Sequence, residues 1–120
     1  MPLACSIIDH QKNFFLEKTN YPYFFMESSV HTIQKHDHLI AAAVHPFDKT
    51  VRPQIINENQ NLSYYKIINE FYKLSKIGAV LNTSFNLHGE PIVESPFDAI
   101  RVFKKSELEY LAIGNYLIFK

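Results

Sequence analysis

Apolar positions in this chain fall into short runs broken by polar clusters, and the spacing inside each run selects an element. Residues 3–9 bring Leu3, Ala4, Cys5, Ile7 and Ile8 together almost without interruption and predict a short, largely buried strand. Residues 13–18, with Phe14, Phe15 and Leu16, predict one turn of helix. The aromatic-rich residues 23–27 predict a strand, and the compact apolar run 39–45 predicts a central one. A shorter strand is predicted over 53–57, opened by Pro53. The strongest helical signal covers 62–76, where Leu62, Tyr65, Ile68, Tyr72 and Ile67, Phe71, Leu74 recur at intervals of three and four and make one wide apolar face. Gly78 just beyond is a suitable stop.

Residues 79–81 then predict a short buried strand, and 82–93 a loop. A second helix is predicted from Ser95 or Pro96 to Lys104-Lys105, with proline in the first turn and Asp98 near the positive end of the helix dipole. Residues 108–113 and 116–119 predict two strands joined by Gly114-Asn115, a tight-turn signal in the less common order of that pair. The mixture predicts an α/β (α+β) layer domain with an antiparallel end.

The chain of 120 residues has room for one domain and one modest core, so residues 1–120 are expected to form a single domain. Twelve Lys plus Arg balance twelve Asp plus Glu, and no basic excess exists to track nucleic-acid phosphates or an anionic membrane surface. An apolar content of 47% excludes disorder. The run 39–44 is far too short to span a bilayer, and no basic and apolar leader follows Met1, so a cytoplasmic location is expected. Cys5 has no partner for an internal disulfide and is expected to be a small buried core residue rather than a nucleophile. The three glycines, Gly78, Gly89 and Gly114, exclude Gly-rich phosphate loops.

Polar chemistry gathers in two segments. In 45–54, Arg52 presents a planar fork suited to phosphate or carboxylate, beside the rigid backbone of Pro53. A solvated arginine on an ordinary surface loop is the competing reading. In 81–93, Asn82, Thr83, Ser84 and Asn86 offer neutral donors and acceptors for a nucleotide or small acyl group. The same residue types also satisfy their own backbone in turns, which is an equally good account. His36 and His38 flank Asp37 and would share a side of an extended segment, but a metal needs further ligands, and no metal site is expected. Glu90 can serve as a base, although Glu90-Pro91 also reads as a turn.

Together the two segments resemble a known family. Asp48-Lys49-Thr50-Val51-Arg52-Pro53-Gln54 resembles its Asp-Gly-Thr-Ala-Arg-Pro-Gln motif. Residues 81–93 resemble its Leu-Asn-Thr-Ser-Phe-Asn followed by Gly-Glu-Pro-Ile-Val, and Ser95-Pro96-Phe97-Asp98-Ala99 resembles its Thr-Pro-x-Asp-Ala helix start. The family is that of the O-carbamoyltransferases of nodulation and antibiotic biosynthesis, in their C-terminal domain. The resemblance implies a YrdC-like fold, an open twisted mixed sheet with packed helices. It implies formation of carbamoyl adenylate from carbamoyl phosphate and ATP, with Mg, for transfer to a hydroxyl. It places Arg52 and Ser84 in catalytic roles, with Thr50, Asn82, Thr83 and Asn86 beside them in substrate and nucleotide binding. The family's metal and acceptor site lies in a separate N-terminal domain. On this alignment Met1 falls where the family has an arginine, Lys49 replaces the motif glycine, and the chain is expected to be an N-terminally truncated domain. A second chain or domain, or self-association, is the expected complement. The alternative is a non-catalytic nucleotide-binding or protein-interaction module that retains the fold.

Overall fold

The computed structural model describes residues Ala4–Lys120. They form two compact units, one ending at Thr83 and the other spanning Ser84–Lys120. The first unit is built around strand β1 (Ala4–Ile8), in which every residue is buried. β1 pairs in parallel with β3 (Thr50–Ile56) and antiparallel with β4 (Ala79–Leu81), while the two-residue β2 (Val30–His31) caps the outer edge of β3. The order β2-β3-β1-β4 makes a mixed sheet. β1 is buried throughout because both faces and both edges are covered.

Alternation divides the β1 side chains between two cores. On one face Cys5 and Ile7 join Val51, Ile55 and Ala79 against Phe15, Leu16, Ile40, Ala43 and Val44. On the other, Ile8 and Ile56 meet Ile68 of helix α2 (Leu62–Ser75), flanked by Tyr64, Tyr65, Tyr72 and Val80. α2 starts where the Asn61 side chain accepts from the Tyr64 N–H at 3.1 Å. It ends at Lys76, in the left-handed region with φ 64°. The expected stop, Gly78, has a different task. Its carbonyl accepts from Ile8 N at 3.0 Å, and a Cβ there would lie 2.5 Å from Gln11 Cγ and 2.9 Å from Ile8 Cγ1. Of the wide apolar face expected on α2, Ile68 enters the core, while Ile67, Phe71 and Leu74 are exposed.

Three expectations need correction. The run 39–45 is no strand. Most of it is the end of a 3-10 segment, Gln34–Ala43, in which Ile40 and Ala43 are buried three residues apart, followed by the buried, extended Val44. A uniformly apolar run carries no period to separate the two readings. The central strand is β1 instead. Residues 23–27 also form no strand. Tyr23 is buried at φ 50° with its carbonyl accepting from Ile55 N, and Phe24 and Phe25 are exposed. The strand expected over 53–57 begins three residues earlier, at Thr50. Pro53 is tolerated inside it because β2 pairs only with Thr50 and Val51, so the missing N–H falls beyond the end of the ladder. The expected single turn of helix forms as α1 (Lys12–Phe15).

In the second unit α3 (Pro96–Lys105) begins with Ser95 accepting from the Asp98 N–H at 3.2 Å and donating to the Asp98 carboxylate at 2.6 Å. These hydrogen bonds hold the Asp98 carboxyl below its ordinary range. β5 (Tyr110–Ile113) and β6 (Tyr116–Phe119) pair as a hairpin around Gly114-Asn115. Gly114 sits at φ 57° and Asn115 outside the left-handed region, the pattern of a type II′ turn, which requires glycine first and so explains the order. The class is mixed α/β, as expected.

Candidate functional site

The register of the first sheet lines up polar side chains from three strands. Ala4 lies opposite Arg52, and Asn82 N donates to Ala4 O at 3.1 Å, continuing the β1–β4 ladder by one rung. One step along, Ser6 lies opposite Gln54 and Val80. Partners in register project to the same face, so Arg52, Gln54, Ser6 and Asn82 share the α2-covered side of the sheet, toward the start of β1 and β3. Hydrogen bonds follow this row. Asn82 Nδ2 donates to Ser6 Oγ at 3.1 Å, Ser6 Oγ donates to Gln54 Oε1 at 3.3 Å, and Gln54 Nε2 donates to the Phe24 carbonyl at 3.2 Å. Ser6 is fully buried, so this chain satisfies a hydroxyl that would otherwise be costly.

Arg52 behaves differently from its neighbours. Its Nε is shielded from solvent and has no hydrogen-bond partner among the described residues. A buried guanidinium N–H without an acceptor is unfavourable, and an anionic oxygen is the partner that relieves it best. Thr50, two residues earlier on the same face, uses its hydroxyl locally. It donates to Asp48 Oδ1 at 2.7 Å, and the Thr50 N–H donates to the same oxygen at 3.0 Å. These bonds, helped by His45, lower the Asp48 carboxyl below its ordinary range. Thr50 thus anchors the turn before β3, and Lys49 within that turn has φ 56°.

Thr83 is exposed at the end of the first unit. Ser84 and Asn86 belong to the second. There Ser84 Oγ donates to Asn86 Oδ1 at 2.6 Å, and Asn86 Nδ2 donates to the carbonyls of Leu87 at 3.1 Å and Glu90 at 2.8 Å. Asn86 therefore closes the turn that holds Gly89 at φ 81°. Glu90 forms an ion pair with Arg101 at 2.7 Å. The turn-forming account thus describes Asn86 and Glu90 well.

Other groups have plain structural settings. Cys5 is buried in the core, and desolvation pushes its thiol up to about 12. His36 stacks on Phe14 at 3.8 Å between ring centroids. Among the described residues no three His, Cys, Asp or Glu side chains converge as metal ligands, and no helix is long and apolar enough to cross a membrane.

Sequence reasoning missed Ser6 and Gln54. Ser6 was hidden in an apolar run, and the loop reading of 45–54 suppressed the period-two alternation of Thr50, Arg52 and Gln54 that puts them on one face.

Comparison with known proteins agrees with the resemblance. The profile of the family described as Carbamoyltransferase C-terminus matches residues 1–120. The nodulation protein NolNO of Sinorhizobium fredii is 37% identical over 123 residues, covering 99% of this chain and 18% of NolNO. NolO of Bradyrhizobium diazoefficiens is 36% identical over 80% of this chain and 17% of its own length. An uncharacterised protein of Methanocaldococcus jannaschii is 52% identical over 73 residues, 61% of this chain and 14% of that protein. The chain thus spans less than a fifth of the length of these relatives. By the full-length profile match it belongs to the carbamoyltransferase C-terminus family.

Proposed function

We propose that this chain contributes to an ATP-dependent O-carbamoyltransferase the site that forms carbamoyl adenylate from carbamoyl phosphate and ATP. The carbamoyl group then passes to a hydroxyl acceptor. The observation that supports this most directly is the shielded, unpartnered Nε of Arg52, in one row of the sheet with Asn82. Forming a mixed anhydride at phosphorus passes through anionic states, which a fixed guanidinium stabilises. ATP enters as a substrate with Mg. Asn82 and Thr83 serve as polar contacts, and Thr50 holds the turn that leads into Arg52. Ser84 and Asn86 enter this reading through the motif match alone. A second chain or domain supplies the metal and acceptor site, and a cytoplasmic setting suits both phosphorylated substrates.

The test is isothermal titration of the chain with ATP, with and without carbamoyl phosphate, beside Arg52→Ala and Arg52→Lys. Wild type should bind saturably. Arg52→Ala should lose on the order of 10-fold to 100-fold, the worth of one charge-assisted contact, and Arg52→Lys should recover only part of it because it lacks the planar fork. Absence of heat, or heat unchanged in Arg52→Ala, overturns the proposal.

One observation favours an interaction module as a second reading. The hairpin of the second unit exposes Tyr110, Tyr116, Leu117 and Phe119, with Leu117 at 64%. In this reading the hairpin mediates self-association. Sedimentation should then show a dimer that Leu117→Glu returns to monomer, and a monomeric wild type removes the reading.

A further inference from the structure

The hydrogen-bond chain that ends at Asn82 has a fixed direction. The Phe24 carbonyl can only accept, so the Gln54 atom bonded to it is the amide Nε2. Gln54 Oε1 therefore faces Ser6, and the Ser6 hydroxyl gives its single proton to it. The Ser6 oxygen is left to accept, so the Asn82 atom 3.1 Å away must be the donor Nδ2. Turning the Asn82 amide over would set two acceptors against each other beside a fully buried hydroxyl. The far side of that amide then carries the carbonyl oxygen, Oδ1, an acceptor of fixed orientation.

We infer that Ser6 and Gln54 are positioning residues that lock Asn82 as the reader of the carbamoyl nitrogen. Asn82 Oδ1 accepts from the NH2 of the carbamoyl group while Arg52 holds the anionic end. The inference rests on the reading of Arg52 given above. Arg52 and Asn82 lie in one row with the small Ala4 between them, about 10 Å apart at their Cα atoms, which are two strand spacings apart. In this inference the two side chains reach opposite ends of one small acyl phosphate from that separation. Acetyl phosphate has nearly the same shape but carries a methyl group where carbamoyl phosphate carries NH2. It would leave Asn82 Oδ1 unpaired, so the lock selects against it.

The experiment titrates the full chain with carbamoyl phosphate and with acetyl phosphate and reads the ratio of the two Kd values. Wild type should prefer carbamoyl phosphate by roughly tenfold or more. Ser6→Ala releases the Asn82 amide and should bring the ratio toward one, with acetyl phosphate affinity changed by less than about twofold because Arg52 is untouched. Ser6→Thr keeps the hydroxyl and should restore the preference. Gln54→Met removes the acceptor at the other end of the chain, away from the crowded Ser6 position, and should also lower the ratio. Thermal melts confirm that each variant is folded. Arg52-dependent binding with the wild-type ratio kept in both Ser6→Ala and Gln54→Met overturns this inference and leaves the Arg52 reading standing. No saturable binding of either phosphate by wild type overturns both.

Discussion

Lys49 stands where the related motif has glycine, and its backbone explains the motif. Its φ is 56°, in the left-handed region where a Cβ crowds the following carbonyl. Neighbouring bonds impose this conformation: Lys49 N donates to His45 O at 3.0 Å, and Lys49 O accepts from Thr32 N at 3.0 Å and Thr32 Oγ1 at 2.8 Å. A glycine at this position inherits the same turn. The left-handed penalty for a residue with a Cβ is roughly 1–2 kcal/mol. Glycine returns about 0.5–1 kcal/mol of that through the extra freedom of the unfolded chain. Lys49→Gly should therefore stabilise the first unit by about 0.5–1 kcal/mol. The side chain is exposed, so no packing is lost. Urea denaturation followed by far-UV circular dichroism measures the change. With a slope of about 1–3 kcal/mol/M the midpoint rises by a few tenths of a molar. Lys49→Ala keeps the Cβ and should move the midpoint little. A stabilisation by alanine equal to that by glycine, or a loss with glycine, would refute the backbone argument.

Gly78→Ala should destabilise by at least about 1–3 kcal/mol, because the new Cβ meets Ile8 and Gln11 at 2.5–3.0 Å and Ile8 is locked in the core; a melt that matches wild type would contradict this. The Cys5 thiol is raised from 9.0 to about 12 in the folded chain, so between those values the unfolded state holds fewer protons and stability falls as pH rises. Fully present below pH 9, this contribution declines by up to about 1.4 kcal/mol per pH unit above it, and Cys5→Ala should flatten that part of the alkaline stability curve. At pH 8 a thiol reagent should label Cys5 only at the rate of unfolding, and rapid labelling of the native chain would contradict its burial.

Elements whose pattern contains its own period were legible from the residues. Helix α2 announced itself by apolar spacing and α3 by Ser95-Pro96 and Asp98, and both formed with bounds close to those expected. The hairpin followed from Gly114-Asn115, and the structure supplies the reason for the order. The two failures have a common cause. Residues 39–45 and 23–27 are apolar or aromatic without alternation, so local propensity had nothing to choose with. Packing decided: the first became 3-10 structure against β4, α1 and β1, and the second stayed an irregular segment along β3.

The family and its motifs were carried by residue order alone, because the motifs are contiguous, and one of them contains Arg52. The environment of Arg52 was not. Its neighbours on that face of the sheet come from positions 6, 54 and 82, and no local pattern reports that β1 runs parallel to β3 and antiparallel to β4. Only that register puts Ser6 between Gln54 and Asn82 and orients the Asn82 amide. Side-chain identity follows from the gene, but direction in a hydrogen-bond chain is a property of neighbours brought together by folding. The tertiary structure also separated two meanings of glycine-like backbone. Gly78 makes room for Ile8, whereas the strain of a left-handed turn falls on Lys49 and Lys76, and that distinction depends on atoms far apart in the chain.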